Sequence, residues 1–299
     1  MHTNANLTGL PWLDRPDGLA QLDLRRLASR YSIDEYNLLR QWFEQGCFVL
    51  EGAGDDFLID AMIRELNGVW SAEQGTPNLR IEQLQKDDSE PPGILHIDLV
   101  EIEPVRRQRL RREHAWRIHS FEEHSQAAKS LFEHPKMLRW ISLILDAQPI
   151  PWNSITFEYG SEQALHEDMA VSHIFPLNQL VGVWIACENI HPDSGPLVYF
   201  PGSHRRGMFP GFSNYPQTNL RTCNQSVTCD YEAYMTSESS KFKSESLLIR
   251  KGDALLWHPM LIHGGSKVNN RQHTRRSFVS HYVVPGADQA AEIEGPFNW

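Results

Sequence analysis

The chain has 299 residues and a mass of 34.4 kDa, enough to bury a large core as one sizeable β-barrel or sandwich or as two smaller units. Lysine and arginine total 28 against 38 aspartates and glutamates, a formal charge of −10, which argues against nucleic acid or an anionic membrane surface as an obligate partner. No apolar run approaches the ~20 residues that span a bilayer, and Met1 to Leu13 carry neither the basic start nor the apolar core of a signal peptide, so a cytoplasmic location without membrane insertion is expected. The cysteines at 47, 187, 223 and 229 have neither a disulfide-framework nor a zinc-finger spacing and are expected as free thiols.

Residues 1–30 hold Pro11, Pro16 and Gly18 ahead of a short amphipathic stretch, and predict an arm lying on the main body. Ser32 with Glu35 three residues on is a capping box. Tyr36, Leu39, Trp42 and Phe43 then recur at helical spacing up to Gly46. A strand over 47–50 follows, then a helix over 57–70 with Ile59, Met62, Ile63 and Leu66 on one face. Residues 71–105, broken by Pro77, Pro91, Pro92 and Gly93, predict loop and edge strand. The run Arg106 to Arg112 predicts a solvated helix face. Between Phe121 and Leu145 the pattern is helical again, and Pro149 and Pro151 are expected to stop it.

From Trp152 onward the chain changes to short strands separated by Gly, Pro, Asn and Asp turns, the signature of an antiparallel sandwich or barrel. Strands are predicted over 154–159, 180–190, 197–200, 246–249, 254–257 and 275–284. A single domain over 31–299 is expected, with helical support from 31–150. The long Ser-, Thr-, Asn- and Tyr-rich stretch over about 205–245 is expected to be a lid insertion or disordered.

In the segment Gly160 to Asp168, an imidazole and a carboxylate stand two residues apart. On extended backbone His166 and Asp168 share a face, which provides two members of a 2-His-1-carboxylate set for non-haem iron. Taken alone, the triplet reads as well as a surface strand or a capped turn, and it has a twin at His96-Ile97-Asp98, which precedes the predicted barrel and is treated as a decoy.

In order after it come Trp184 on a strand, the turn Asp193-Ser194-Gly195-Pro196, then Pro201-Gly202-Ser203-His204. Lys251-Gly252-Asp253 leads to Trp257-His258-Pro259, His263-Gly264-Gly265 and Arg275-Arg276. This series resembles the phytanoyl-CoA dioxygenase family of Fe(II)- and 2-oxoglutarate-dependent oxygenases, from about Phe157 to Val284. The resemblance implies a mainly β fold with flanking helices, a double-stranded β-helix of jelly-roll, cupin-like type. It implies His166, Asp168 and His263 as both metal ligands and catalytic residues, with Fe(II) as cofactor and 2-oxoglutarate and O2 as cosubstrates. Arg275 matches the arginine that pairs with the distal carboxylate of 2-oxoglutarate, a task suited to a planar two-pronged donor; Arg276, of opposite parity, should face away. Trp184 matches a residue lining the cosubstrate. Ser266 and Gln163 are further cosubstrate-binding candidates, while His204 is expected to end a structural turn and His173, His258 and His281 to lie in the core or rim.

The retained Asp168 favours hydroxylation over halogenation, because related halogenases replace this residue with a small one to admit halide. The implied reaction hydroxylates a small or medium-sized metabolite with release of succinate and CO2. Arg205, Arg206 and Tyr231, just after the Ser203-His204 turn or within the insertion, are the substrate-contact candidates, and the arginine pair suggests an anionic group on the substrate. No sequence feature specifies an oligomeric state. Two rival readings are a non-catalytic jelly-roll protein that binds a metabolite or sugar, and a zinc- or manganese-dependent cupin.

Overall fold

The computed structural model describes residues 9–83 and 93–293. Positions 1–8 of the expected arm, 84–92 with Pro91 and Pro92, and 294–299 lie outside the described residues. In chain order the elements are α1 (Gly18–Leu27), α2 (Ile33–Gln45), β1 (Cys47–Leu50), α3 (Asp56–Ser71), β2 (Arg80–Gln83), β3 (Gly93–Leu95), α4 (His96–Leu99), α5 (Pro104–Glu113) and β4 (Trp116–His119). There follow α6 (Gln126–Phe132), α7 (Pro135–Leu145), β5 (Ile150–Phe157), β6 (Leu180–Ala186), β7 (Leu197–Tyr199), α8 (Gln225–Ser239), β8 (Glu245–Ser246), β9 (Ala254–Trp257), β10 (His263–Gly265), β11 (Ser277–Val283) and α9 (Ala290–Ile293).

Eight strands form one antiparallel sheet in the order β1-β9-β6-β11-β5-β4-β2-β3, and β10-β7-β8 form a second, smaller one. This is a jelly roll with helices packed outside the larger sheet. The period-2 alternation of the central strands decides which side each residue serves. Val181, Val183 and Ile185 of β6, Ala254 and Leu256 of β9, and Phe278 and Tyr282 of β11 face the helices, joining Leu39, Ile59, Leu66, Ile141 and Leu145. Trp184, Ala186, Leu255, Trp257 and Val279 face the space between the sheets. A one-residue slip of any of these strands would exchange the two sets, so burial of both faces pins the register that places the inner residues.

The local signals of the first helices hold. Ser32 Oγ accepts the Glu35 N–H at 3.1 Å while Glu35 Oε2 accepts the Ser32 N–H at 2.8 Å, and α2 ends at Gly46. Four free cysteines are present, and no helix among the described residues is long and apolar enough to cross a membrane.

Elsewhere the structure departs from the sequence expectations. The helical stretch 121–145 is three pieces, because Ser125 caps a new helix at Ala128 N and Pro135 opens another. The last of them ends at Leu145 with Asp146 left-handed, before either proline, and Pro151 lies inside β5 opposite Tyr282. His96 and Asp98 fall on a short helix, and both imidazole nitrogens of His96 meet backbone, the Thr76 N–H at 2.8 Å and the Val69 carbonyl at 2.8 Å. The arginine run is helical but not wholly solvated: Arg107 is buried against the Ala72 carbonyl, and Arg111 grips buried Glu158 with two bonds of 2.7 Å.

The expected N-terminal arm is part of the core from residue 9 on. Trp12, Leu13 and Leu22 are buried in the cluster between helices and sheet, and Trp12 Nε1 donates to the Leu143 carbonyl at 3.0 Å. Asp14, nearly buried, accepts from His258 Nε2 at 2.9 Å and from Asn178 at 2.8 Å. Burial alone would raise the Asp14 carboxyl, but the His258 imidazole, the Asn178 amide and His204 together hold the group below its ordinary 3.8. A carboxyl depressed on folding contributes stability above its unfolded pKa, and loses it as pH falls through the folded value. Asp14→Ala should therefore lower the unfolding free energy by about 2 kcal/mol at pH 7. The gap to wild type should shrink as the pH drops below 3.8. Urea denaturation over a pH series checks this; equal midpoints at pH 7 would show that the latch carries no stability.

Candidate metal and cosubstrate site

His166 and His263 are bridged directly, backbone to backbone. Each donates its N–H to the other's carbonyl at 2.9 Å, an isolated antiparallel bridge between the loop after β5 and the start of β10. Residues opposed in this way carry their side chains on the same side, and the two imidazole centroids are 4.3 Å apart. Gly265 permits the approach: a Cβ there would stand 2.7 Å from both Glu162 N and Ser161 Oγ. Asp168 follows at the start of a short 3-10 turn, with Oδ1 at 3.6 Å from His263 Nε2.

Both imidazoles are oriented by the carbonyl two residues before them. His166 Nδ1 donates to the Ala164 carbonyl at 2.8 Å and His263 Nδ1 to the Leu261 carbonyl at 3.0 Å. A carbonyl only accepts, so Nδ1 carries the proton in each ring and Nε2 is left as the lone-pair nitrogen that could serve as a ligand atom. One atom from each of His166, Asp168 and His263 lies within 4.8 Å of the others, and these three could hold a metal ion. Desolvation, then repulsion from His263, brings the His166 pKa down to about 4, which keeps the ring neutral. Burial pushes the Asp168 carboxyl up, but His281 and His263 together pull it well below the ordinary carboxylate range.

Further residues surround the three. Gln163 places its amide nitrogen 3.3 Å from His166 Nε2, beside the ligand atom itself. Trp257 Nε1 donates to Asp168 Oδ2 at 2.7 Å, and His281 Nε2 is 3.4 Å from the same oxygen. Sequence reasoning put His281 in the core or rim and gave Trp257 no role. The signal was present in strand parity, since both alternate inward with Trp184 and Val279.

Arg275 lies just ahead of β11, its N–H bonded to the Glu158 carbonyl. Its guanidinium is 2% exposed, packed 5.3 Å from the Phe157 ring centroid and 5.5 Å from that of Trp184. Its guanidinium makes a long 3.4 Å contact to the Tyr159 carbonyl, and Nε has no hydrogen-bond partner among the described residues. Burial lowers its pKa to about 10, with Glu188 pushing the other way. Arg276, as expected from parity, turns outward to Glu158 at 3.0 Å.

Ser266 points elsewhere: its Oγ donates to the Pro196 carbonyl at 2.7 Å, so the hydroxyl is spent on the turn. Ser277, two residues after Arg275, has a buried hydroxyl with no hydrogen-bond partner among the described residues. Sequence reasoning gave it no role.

The expected substrate contacts have protein partners instead. Arg206 is buried in an ion pair with Glu167. Burial raises the Glu167 carboxyl to about 7 although Arg206 opposes the rise. Arg205 donates to the Phe43 carbonyl at 2.5 Å and covers the Phe43 ring. Tyr231 is buried, its hydroxyl accepting the Glu167 N–H at 3.1 Å. It sits with Met235, Phe200, Phe209 and Phe212 in an apolar cluster of its own. The insertion thus contains a folded helix, α8, and two of its side chains, Arg206 and Tyr231, bond to Glu167.

A family model described as phytanoyl-CoA dioxygenase (PhyH) matches residues 44–277. The peroxisomal phytanoyl-CoA dioxygenase of Bos taurus is 30% identical over 123 residues, 41% of this chain and 34% of that protein. The phytanoyl-CoA dioxygenase domain-containing protein 1 of Mus musculus is 24% identical over 182 residues, 59% of this chain and 58% of that protein. The chain thus spans between about a third and somewhat over half the length of these relatives. Among solved structures, the non-heme alpha ketoglutarate dependent carbocyclase SnoK superimposes with a TM-score of 0.60 at 14% identity, covering 90% of this chain and 93% of that one. EctD from S. alaskensis does so with 0.60 at 13% identity, covering 86% and 78%. These two likenesses show the shared fold. The family match spans residues 44–277, which include the His166 loop, β10 and Arg275, and the chain belongs to the phytanoyl-CoA dioxygenase family.

Proposed function

We propose that the chain is an Fe(II)- and 2-oxoglutarate-dependent dioxygenase that hydroxylates a small or medium-sized molecule. The observation that carries this reading is the pairing of a three-atom donor set with the buried Arg275, whose Nε has no hydrogen-bond partner among the described residues. Two nitrogens and one carboxylate oxygen with open positions suit non-haem iron. A buried cation with no carboxylate in hydrogen-bond contact is costly, and the distal carboxylate of 2-oxoglutarate offers the planar, two-oxygen acceptor that a guanidinium matches. The rival reading, a non-catalytic jelly-roll protein that binds a metabolite or sugar, gives the three-atom donor set and Arg275 no joint role; it predicts ligand binding without succinate release under oxygen.

In this reading His166 Nε2, Asp168 Oδ1 and His263 Nε2 hold the iron. Arg275 and Ser277 bind the far carboxylate, with Phe157 and Trp184 excluding water around it. Iron and cosubstrate together supply the oxidising power, coupling decarboxylation of 2-oxoglutarate to succinate and CO2 with insertion of one oxygen atom of O2 into a C–H bond. The chain's own task is to orient. The Nδ1 bonds fix the imidazoles, Gln163 lies where it can hydrogen-bond a group at the metal, and the apolar walls keep the site dry. The free thiols fit a cytoplasmic location, which is part of the proposal; subcellular fractionation tests it.

Anaerobic addition of Fe(II) and 2-oxoglutarate should produce a metal-to-ligand charge-transfer absorption that His166→Ala abolishes, and oxygen should then release succinate. Wild-type protein without the band, or a band unchanged in His166→Ala, would refute the proposal. Arg275→Leu should raise KM for 2-oxoglutarate by about 30-fold or more, the equivalent of about 2 kcal/mol for leaving the carboxylate unpaired. Metal affinity should stay at the wild-type value, and steady-state kinetics with a Mn(II) titration separates the two effects.

A further inference from the structure

Asp168 has two oxygens, and the structure treats them differently. Oδ1 faces His263. Oδ2 accepts the indole N–H of Trp257 at 2.7 Å, and His281 Nε2 lies 3.4 Å away while its Nδ1 donates to Asn153 Oδ1 at 2.7 Å. Trp257 is 2% exposed, with its ring centroid 5.2 Å from that of His263 and 5.9 Å from that of His281.

The indole can lie there because of Gly182. This residue pairs with Trp257 across β6 and β9, and with His281 across β6 and β11. A Cβ at position 182 would stand 2.2 Å from the indole Cε2 and 2.6 Å from Nε1 itself. In the middle of a buried strand a glycine costs stability, and here its missing side chain is the space occupied by the donor ring.

We propose that Trp257, seated in the gap left by Gly182, is a positioning residue that holds Asp168 Oδ2 and presents Oδ1 alone to the metal. The inference rests on the ligand reading given above. A carboxylate free to turn can chelate through both oxygens and occupy two positions of an octahedron. With Oδ2 held by a charge-assisted bond it supplies one ligand atom, leaving three positions open for a two-pronged cosubstrate and oxygen. Indole suits the task because its N–H only donates; it competes neither for the metal nor for protons. Partners of this kind typically change metal affinity by about 10–100-fold when removed.

The test is Mn(II) binding to metal-free protein, followed by the electron paramagnetic resonance of free Mn(II), with Co(II) absorption as a report on coordination. Wild type should bind and His166→Ala should not. Trp257→Phe, which keeps most of the ring but not the donor, should bind about 10–100-fold more weakly with an altered Co(II) spectrum. Gly182→Ala, which keeps the donor but displaces it, should follow. Trp140→Phe, a buried tryptophan on the helix side of the large sheet, should match wild type in both. A folded Trp257→Phe protein with wild-type affinity and spectrum overturns the inference and leaves the ligand reading standing. Wild type that binds no Mn(II), or His166→Ala that binds it equally, overturns the ligand reading instead. If both β-strand variants fail to fold, the Trp257 indole 15N–1H resonance decides: it should move on Asp168→Asn, and a fixed resonance overturns the inference.

Discussion

The site depends on two backbone hydrogen bonds, the reciprocal pair between His166 and His263. The two residues come from distant parts of the chain, and neither neighbouring sequence constrains the other. Once paired antiparallel, their side chains must emerge on one side at ring-contact distance, whatever else the loops do. The remaining features serve this pairing: glycine at 265 lets the loop descend, the i−2 carbonyls turn the rings, and Asp168 comes next on the same segment. Preorganisation of this kind reduces what a metal must reorder when it binds.

Charge is distributed around that bridge in two ways. Glu167 with Arg206, and Glu158 with Arg111 and Arg276, are buried or half-buried cations and carboxylates that neutralise each other. They fasten the histidine loop to the insertion, and α5 to the strand edge near Arg275. Buried pairs like these contribute little net stability compared with apolar packing, but breaking one is expensive, so they act as fixed points. Arg275 belongs to neither pair. Its cost is offset elsewhere in the core, by residues such as Trp184 and Phe157 that pack its stem and planar face.

Much of the architecture was legible. Alternation marked the central strands, Ser32 and Glu35 marked a helix start, and the ordered series from His166 to Arg275 pointed to the site through family resemblance. What remained hidden has physical reasons. The helix over 225–239 carries Val227, Tyr231, Tyr234 and Met235 at helical spacing, but Ser, Thr and Asp between them blur the contrast between faces. Arg205 and Arg206 resembled an anion-binding pair because sequence cannot show that Glu167, many residues away, already occupies one of them. Ser266 stood out through its distance from His263 along the chain, but sequence cannot show that its hydroxyl is bonded to the Pro196 carbonyl.

The buried N-terminal segment bears on where this protein can be divided. The family model begins at residue 44, yet Trp12, Leu13 and Leu22 fill the core between helices and sheet. Asp14 also satisfies His258, the neighbour of Trp257. The segment ahead of residue 44 is therefore part of the packed core and not an appendage to it. Removing it would uncover the apolar side chains it packs against and take from the His258 imidazole its carboxylate, one residue from the indole that holds Asp168. A cut at the edge of the family model passes through the core of this structure.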